Sequence, residues 1–268
     1  MSDDAYDAAL DLLRRVNPQN ITTNLEKLIA LQPSLAEDLL STVDTPLSII
    51  KDPETGKSFL ACDYNRDLDS YRSPWSNQYV PSLEDDDSPF PSKELRELEI
   101  KMNDSMDVYR DLYYEGGVSS VYLWDQEDGE GFAGVVLFKK STENKKAQWD
   151  SIHVFEVETI GSQKAKYKVT STIILDLSTK EKAREIGLAG NLIRQTEKEA
   201  EVEGDYGHLI NLGTLIEDIE SKLRNLLSQV YFDKTRDIIG DARSLSSLKD
   251  VASDKALHSE VVKGLQGL

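Results

Sequence analysis

The sequence predicts an α+β protein: an N-terminal helical bundle, an antiparallel β-meander sheet covered by one long helix, and a C-terminal amphipathic tail helix. Three observations predict it. Between residues 3 and 43 apolar residues recur at helical spacing, interrupted by Pro18 and Pro33. Between residues 116 and 177 apolar and polar residues alternate in runs separated by turn residues, the period-two pattern of strands. Around residues 206–240 a single apolar stripe runs on without a proline.

With 268 residues the chain can build one large core or two small ones. A content of 39% hydrophobic and 30% charged residues is a soluble, cytosol-like balance. No apolar run approaches the ~20 residues of a membrane span, and the opening MSDDAYD is unlike a secretory signal, so the cytosol is the expected address. Cys62 is the one cysteine, which leaves neither an internal disulfide nor a thiolate metal cluster. The net charge of -18 excludes the basic footprint of a nucleic-acid binder and opposes broad adhesion to anionic membrane. The exception is residues 243–268, where Arg243, Lys249, Lys255 and Lys263 stand against Asp250, Asp254 and Glu260; four minus three leaves +1.

In chain order, residues 1–45 read as a three-helix stalk. Tyr6, Leu10, Leu13 and Val16 mark the first helix, and Ile21, Leu25, Leu28 and Ile29 the second. Ser34 with Glu37 is a capping-box pattern that opens the third, with Leu35, Leu39 and Leu40 on one face. Residues 46–92 are a hairpin turning at Asp52-Pro-Glu-Thr-Gly56, then a long loop whose large residues, Arg66, Tyr71, Arg72, Trp75 and Tyr79, suit an ordered coat over the sheet. Residues 93–115 are a helix with Leu95, Leu98, Met102, Met106, Tyr109 and Tyr113 on one face, stopped by Gly116-Gly117. Residues 116–195 are the sheet: VSSVYLW, FAGVVLFKK, WDSIHVFEVE, AKYKVTSTIILDL and a weaker strand interrupted by Gly187 and Gly190. Short connections between consecutive strands make this an antiparallel meander. Residues 205–240 are the long helix, its stripe formed by Leu209, Leu212, Ile216, Ile219, Leu223, Leu226 and Val230. At 1.5 Å per residue it is on the order of 50 Å long. That exceeds the ~17–20 Å of a common strand. The helix is therefore either the core helix of one domain or one shared with a second subunit. Residues 241–268 are a linker and the tail.

The catalytic motifs are incomplete. Residues 129–136 spell G-x-G-x-x-G-x-V ahead of Lys139 and Lys140, the pattern of a kinase glycine loop, and suggest a nucleotide-binding enzyme as the alternative function. No H-R-D or D-F-G accompanies them, and a strand follows where a dinucleotide site needs a helix. Asp128-Gly129 fits a hairpin turn. The run of residues 84–87 lacks calcium-loop spacing, and His153, His208 and His258 have no paired-ligand neighbours. No enzyme and no cofactor or metal is expected.

Residues 62–77, Cys-Asp-Tyr-Asn-Arg-Asp-Leu-Asp-Ser-Tyr-Arg-Ser-Pro-Trp-Ser-Asn, resemble a signature of the F-actin capping protein beta subunit family. GGVSSVYLWD (116–125), WDSIHV (149–154), YKVTSTIIL (167–175) and the order of elements look like the same family, so the resemblance covers nearly the whole chain. It implies a heterodimer with a similarly folded capping protein alpha subunit that completes the sheet. It further implies antiparallel long helices, with Leu212, Ile216, Ile219, Leu223, Leu226 and Val230 at the subunit interface. The implied activity is calcium-independent occupation of the filament barbed end, blocking subunit addition and loss. In the tail, Leu257, Val261, Val262, Lys263 and Leu265 match the family's actin-binding arm; valines stand where longer aliphatic residues are usual, and few basic residues follow. Regulatory proteins and anionic phosphoinositides are the further candidate partners, at the actin-rich cortex of the cytoplasm.

Overall fold

The computed structural model describes residues 2–16, 20–83, 88–126, 131–142, 147–161, 163–181, 184–229 and 236. The chain divides into two compact units, Met1–Ile219 and Glu220–Leu268. Among the described residues no helix is long and apolar enough to cross a membrane.

The first helices are α1 (Ser2–Arg15), α2 (Ile21–Leu31) and α3 (Ala36–Thr42). Ala9, Leu13, Ile21, Leu25, Leu35 and Leu39 give them a small core of their own. The capping box expected at Ser34 does not form. Pro33–Leu35 is a 3-10 turn with proline in its first turn, where the missing N–H costs nothing. The Ser34 hydroxyl accepts from Gln32 Nε2 at 3.0 Å instead. Leu40, expected on the buried face, is exposed, because Leu35 and Leu39 already fill the inward positions.

Strands β1 (Ser48–Lys51) and β2 (Ser58–Ala61) form the expected hairpin, Ser48 opposite Ala61. Its turn is built on Asp52, which is buried. One carboxylate oxygen accepts from the Glu54 and Thr55 N–H groups, the other from Ser73 Oγ at 2.7 Å. Burial alone would raise this carboxyl, but the bonds from Ser73, Glu54 and Thr55 outweigh it and hold it at about 2. A depressed folded value means stability present above the ordinary value of 3.8 and lost as pH falls from there through about 2. Acid unfolding of the wild type is therefore expected to steepen in that window and to lose this component in Asp52→Asn, read by circular dichroism from pH 5 to 2. An unchanged acid profile would count against it.

The loop after the hairpin is more ordered than its composition suggests. Asp63–Asn65 is a 3-10 turn, and β3 (Arg66–Asp67), β4 (Ser70–Arg72) and β5 (Tyr79–Val80) make a small antiparallel sheet. Asn65 closes it, its amide donating to the Leu60 and Arg72 carbonyls while its oxygen accepts from Cys62 N–H. Trp75 Nε1 donates to the Ser58 carbonyl, and Lys57 Nζ lies 4.3 Å from the indole ring centre.

Helix α4 (Lys93–Tyr114) ends on Glu115 in the left-handed region, φ 48°, followed by Gly116 and Gly117. A Cβ on Gly117 would come within 2.5 Å of the Lys139 carbonyl oxygen, so only glycine fits there. Its buried face differs from the apolar stripe expected: Leu95, Met102 and Met106 share it with Glu99 and Asn103, while Tyr113 is exposed.

The main sheet is β6 (Val118–Asp125), β7 (Gly131–Ser141), β8 (Ala147–Ile160), β9 (Lys164–Glu181) and β10 (Arg184–Glu201), an antiparallel meander in the order β10-β9-β8-β7-β6. The last strand is not weak. Gly187 and Gly190 pair with Ser178 and Leu175 inside an unbroken ladder of 18 residues. One face carries Tyr122, Val135, Leu137, Ile152 and Ile174, packed with Leu47 and Leu60 of the hairpin segment. The other carries Leu123, Phe138, Phe155, Val169 and Tyr167. There Tyr109 and Tyr114 of α4 meet Phe138, and His208 at the start of α5 (Gly207–Leu227) meets Phe132 and Tyr167. The sheet is thus covered on both faces, by hairpin and coat on one and by two helices on the other, where the sequence suggested one helix alone.

Candidate assembly surface

A sheet of five strands has two edges, and unpaired edge groups invite another strand. Here they differ. At β6 the outward-facing backbone groups are taken by α4. Val121 N–H donates to Asn103 Oδ1 and Val121 C=O accepts from Asn103 Nδ2, both at 2.9 Å. Leu123 N–H donates to Glu99 Oε2 at 2.6 Å. The two side chains, one helical turn apart, copy a neighbouring strand and close the edge.

Glu99 can do this because its charge is matched. Arg72 reaches it with two parallel bonds, Nη1 to Oε1 at 2.8 Å and Nη2 to Oε2 at 2.7 Å, and Arg96 donates to Oε1. Such paired guanidinium–carboxylate geometry is the strong form of the interaction. Arg72 is further engaged by Asn77 Oδ1 at 2.7 Å and lies over the Tyr122 ring. Burial alone would lower the guanidinium's pKa, but the hydrogen bonds and charge of Glu99 raise it. The coat, α4 and the β6 edge are therefore one ionic unit. Sequence reading counted Arg72 only as a coat residue and missed Glu99 and Asn103. The available signal was two polar residues, four apart, at core positions of an apolar stripe.

At β10 the arrangement is the reverse. Its inner side pairs with β9 over the full length, and among the described residues no strand pairs with its outer side. On helix α5, Leu212, Ile216, Ile219 and Leu223 are buried in the single chain, as is Leu215, which the stripe omitted. Over these residues the stripe of a helix longer than a common strand is covered within the single chain. Leu226 is half-buried, and Val230 lies outside the described residues, as do Gly240 and the tail residues Leu257, Val261, Val262, Lys263 and Leu265.

The motif suspected of handling nucleotide is structural where it is described. Asp128 and Gly129, the acidic run 84–87 and His258 lie outside the described residues. Gly131 and Gly134 are inside β7, and a Cβ on Gly134 would collide with Leu123 and Phe155 at 2.5 and 2.6 Å, so the glycine serves sheet packing. Lys139 is buried against Asp150, Nζ to Oδ1 2.6 Å, and the second Asp150 oxygen accepts from Leu47 N–H at 2.8 Å. Lys140 Nζ caps α4 by donating to the Tyr114 and Glu115 carbonyls. Neither lysine is available for a phosphate. His153 is buried with Nδ1 2.8 Å from Ser171 Oγ, and burial pushes the Cys62 thiol up to about 12, where it stays protonated.

The family described as "F-actin capping protein, beta subunit" matches residues 6–239. The F-actin-capping protein subunit beta of Candida glabrata is 58% identical, covering 99% of this chain and all of that one. That of Yarrowia lipolytica is 56% identical over 99% and all of the two chains, and that of Saccharomyces cerevisiae 54% over the whole of both. Among solved structures, the homodimeric actin capping protein alpha subunit of Plasmodium berghei shares the fold, with a TM-score of 0.52 over 91% of this chain and 97% of that one at 15% identity. With a family match across most of its length and relatives above half identity end to end, this chain belongs to the F-actin capping protein beta subunit family.

Proposed function

We propose that this chain is the beta subunit of a heterodimeric actin-capping protein, which binds the barbed end of the actin filament and blocks subunit addition and loss. The observation that carries the reading is the 58% identity to a capping beta subunit over 99% of this chain. The action is occupancy: no bond is made or broken, no calcium is required and no cofactor takes part, so the protein is not an enzyme. It works in the cytoplasm, at the actin-rich cortex.

The unequal sheet edges support a specific mode of assembly. With β6 closed by Asn103 and Glu99, β10 is the edge left for a similarly folded alpha subunit, and pairing there extends the sheet across the dimer. In this arrangement Leu212, Ile216, Ile219 and Leu223 hold α5 in place from the core, while Leu226 and Val230 carry the helix toward the partner. The tail, with Leu257, Val261, Val262, Lys263 and Leu265, is the arm that meets actin. Regulatory proteins and anionic phosphoinositides are further ligands of the heterodimer, and on a chain of charge -18 the lipids meet the locally basic segment 243–268.

The test is co-expression with an alpha subunit, followed by pyrene-actin elongation and single-filament dissociation. The heterodimer is expected to stop barbed-end growth at substoichiometric amounts. Removing residues 255–268 takes away a few apolar side chains, each worth about 1.5–3 kcal/mol when fully buried, less the cost of ordering the arm. A net loss of ~1–3 kcal/mol makes capping roughly five- to 150-fold weaker, mainly through faster dissociation, with the heterodimer Tm nearly unchanged. An unchanged off-rate, or a melted heterodimer, would remove the tail from the actin contact.

A further inference from the structure

A cavity of about 610 Å3 opens between the first turns of α4, the adjoining ends of β6, β7 and β8, and the first turn of α5. Three kinds of chemistry line it. Leu95, Leu98 and Phe132 supply apolar wall, Glu94 and Asp125 supply carboxylates, and His208 supplies an imidazole. Among the described residues no lysine or arginine lines it. Asp125 has one oxygen engaged, by the Ser92 N–H at 2.7 Å, and Glu94 is exposed.

The hydrogen-bond chain behind His208 determines which nitrogen carries its proton. Asn211 Nδ2 donates to the Glu201 carbonyl at 2.9 Å, which identifies it as the amide nitrogen, and it spends its second hydrogen on Tyr167 Oη at 3.0 Å. Among the described residues the Tyr167 hydroxyl has no other acceptor, so its own hydrogen goes to His208 Nδ1, 2.9 Å away. Burial holds His208 below its ordinary value, so the ring is neutral near pH 7. A neutral ring that accepts at Nδ1 has its hydrogen on Nε2. The ring stands edge-on to Phe132, centres 5.2 Å apart. Among the described residues Nε2 has no partner, which leaves one oriented donor on a residue of the cavity wall.

We infer that this cavity is a docking site for a segment of a partner protein in which an aliphatic residue is followed by arginine or lysine. The aliphatic side chain packs on Leu95, Leu98 and Phe132. A backbone carbonyl accepts from His208 Nε2–H, and the basic side chain meets Glu94 and Asp125. Charge complementarity selects this occupant: among the described residues the lining is acidic without a compensating cation, on a chain of net charge -18. The cavity is lined from β6, β7, β8, α4 and α5, and among the described residues none of β10, the edge assigned to the alpha subunit, lines it, so the site goes beyond the capping reading.

The test uses the intact heterodimer and fluorescein-labelled peptides carrying one leucine followed by two arginines in a glycine–serine background, read by anisotropy. Saturable binding is expected, about tenfold or more weaker when glutamates replace the arginines. His208→Phe keeps the ring and removes the donor; it is expected to weaken binding about three- to tenfold. Glu94→Gln should weaken the arginine peptide but not a leucine–glutamine control. Melting of each variant verifies that it is folded. No saturable binding by the wild type would overturn the inference. Equal binding by folded His208→Phe and Glu94→Gln would overturn it too, since it would reduce the effect to general attraction to an acidic protein.

Discussion

Ile219→Asp is expected to leave no folded heterodimer. Ile219 is 3% exposed on the buried side of α5, in line with Leu212, Leu215 and Ile216. An aspartate there has two options, both costly. It stays ionised in an apolar core, or it takes up a proton and remains an unsatisfied polar group; either costs several kcal/mol. The lost isoleucine packing adds about 2–5 kcal/mol by analogy with truncations to alanine. Against a total stability of about 5–15 kcal/mol, the sum removes most or all of the folded population. Co-expression with the alpha subunit and size-exclusion chromatography is the measurement: no dimer peak is expected. Ile219→Leu keeps the volume and should cost less than about 1.5 kcal/mol, with the dimer retained. A monodisperse Ile219→Asp heterodimer melting near the wild type would show that α5 does not anchor the core.

Glu99→Leu is expected to be the most damaging single change outside the apolar core, at about 3–5 kcal/mol. Glu99 is fully buried and answers three donors: the Arg72 guanidinium, the Arg96 guanidinium and the Leu123 N–H. Removing it strands Arg72, itself only 4% exposed, without its counter-charge, and uncovers a backbone group at the β6 edge. The damage comes from the partners left behind, not from the intrinsic worth of the pair. The double variant Arg72→Met with Glu99→Leu should therefore recover part of the loss. Denaturant unfolding of the heterodimer measures both. A single-variant loss below about 1 kcal/mol would show that Glu99 is not the centre of the network. Because Glu99 and Asn103 also close the sheet edge, concentration-dependent association should rise in Glu99→Leu, detectable by sedimentation velocity.

Much of this protein was legible in its sequence because the relevant information is local. A period of two along β6 to β9 and of 3.6 along α1, α2, α4 and α5 is written in neighbouring side chains, as are the Asp52 turn and the glycines after α4. The family resemblance is read from the same strings of residues. The tertiary structure decided what depends on residues far apart. It set Leu47 on Asp150, 103 positions away, and Glu99 on Arg72, 27 positions away. It turned Lys139 and Lys140 from apparent phosphate ligands into a buried ion pair and a helix cap. It made β10 a continuous strand despite two glycines, because an 18-residue ladder with β9 outweighs their weak propensity. It gave the sheet one closed edge and one unpaired edge, since Asn103 resembles a strand only when α4 lies beside Val121. Side-chain spacing specifies which elements form; which polar groups those elements must satisfy is known only once they are packed.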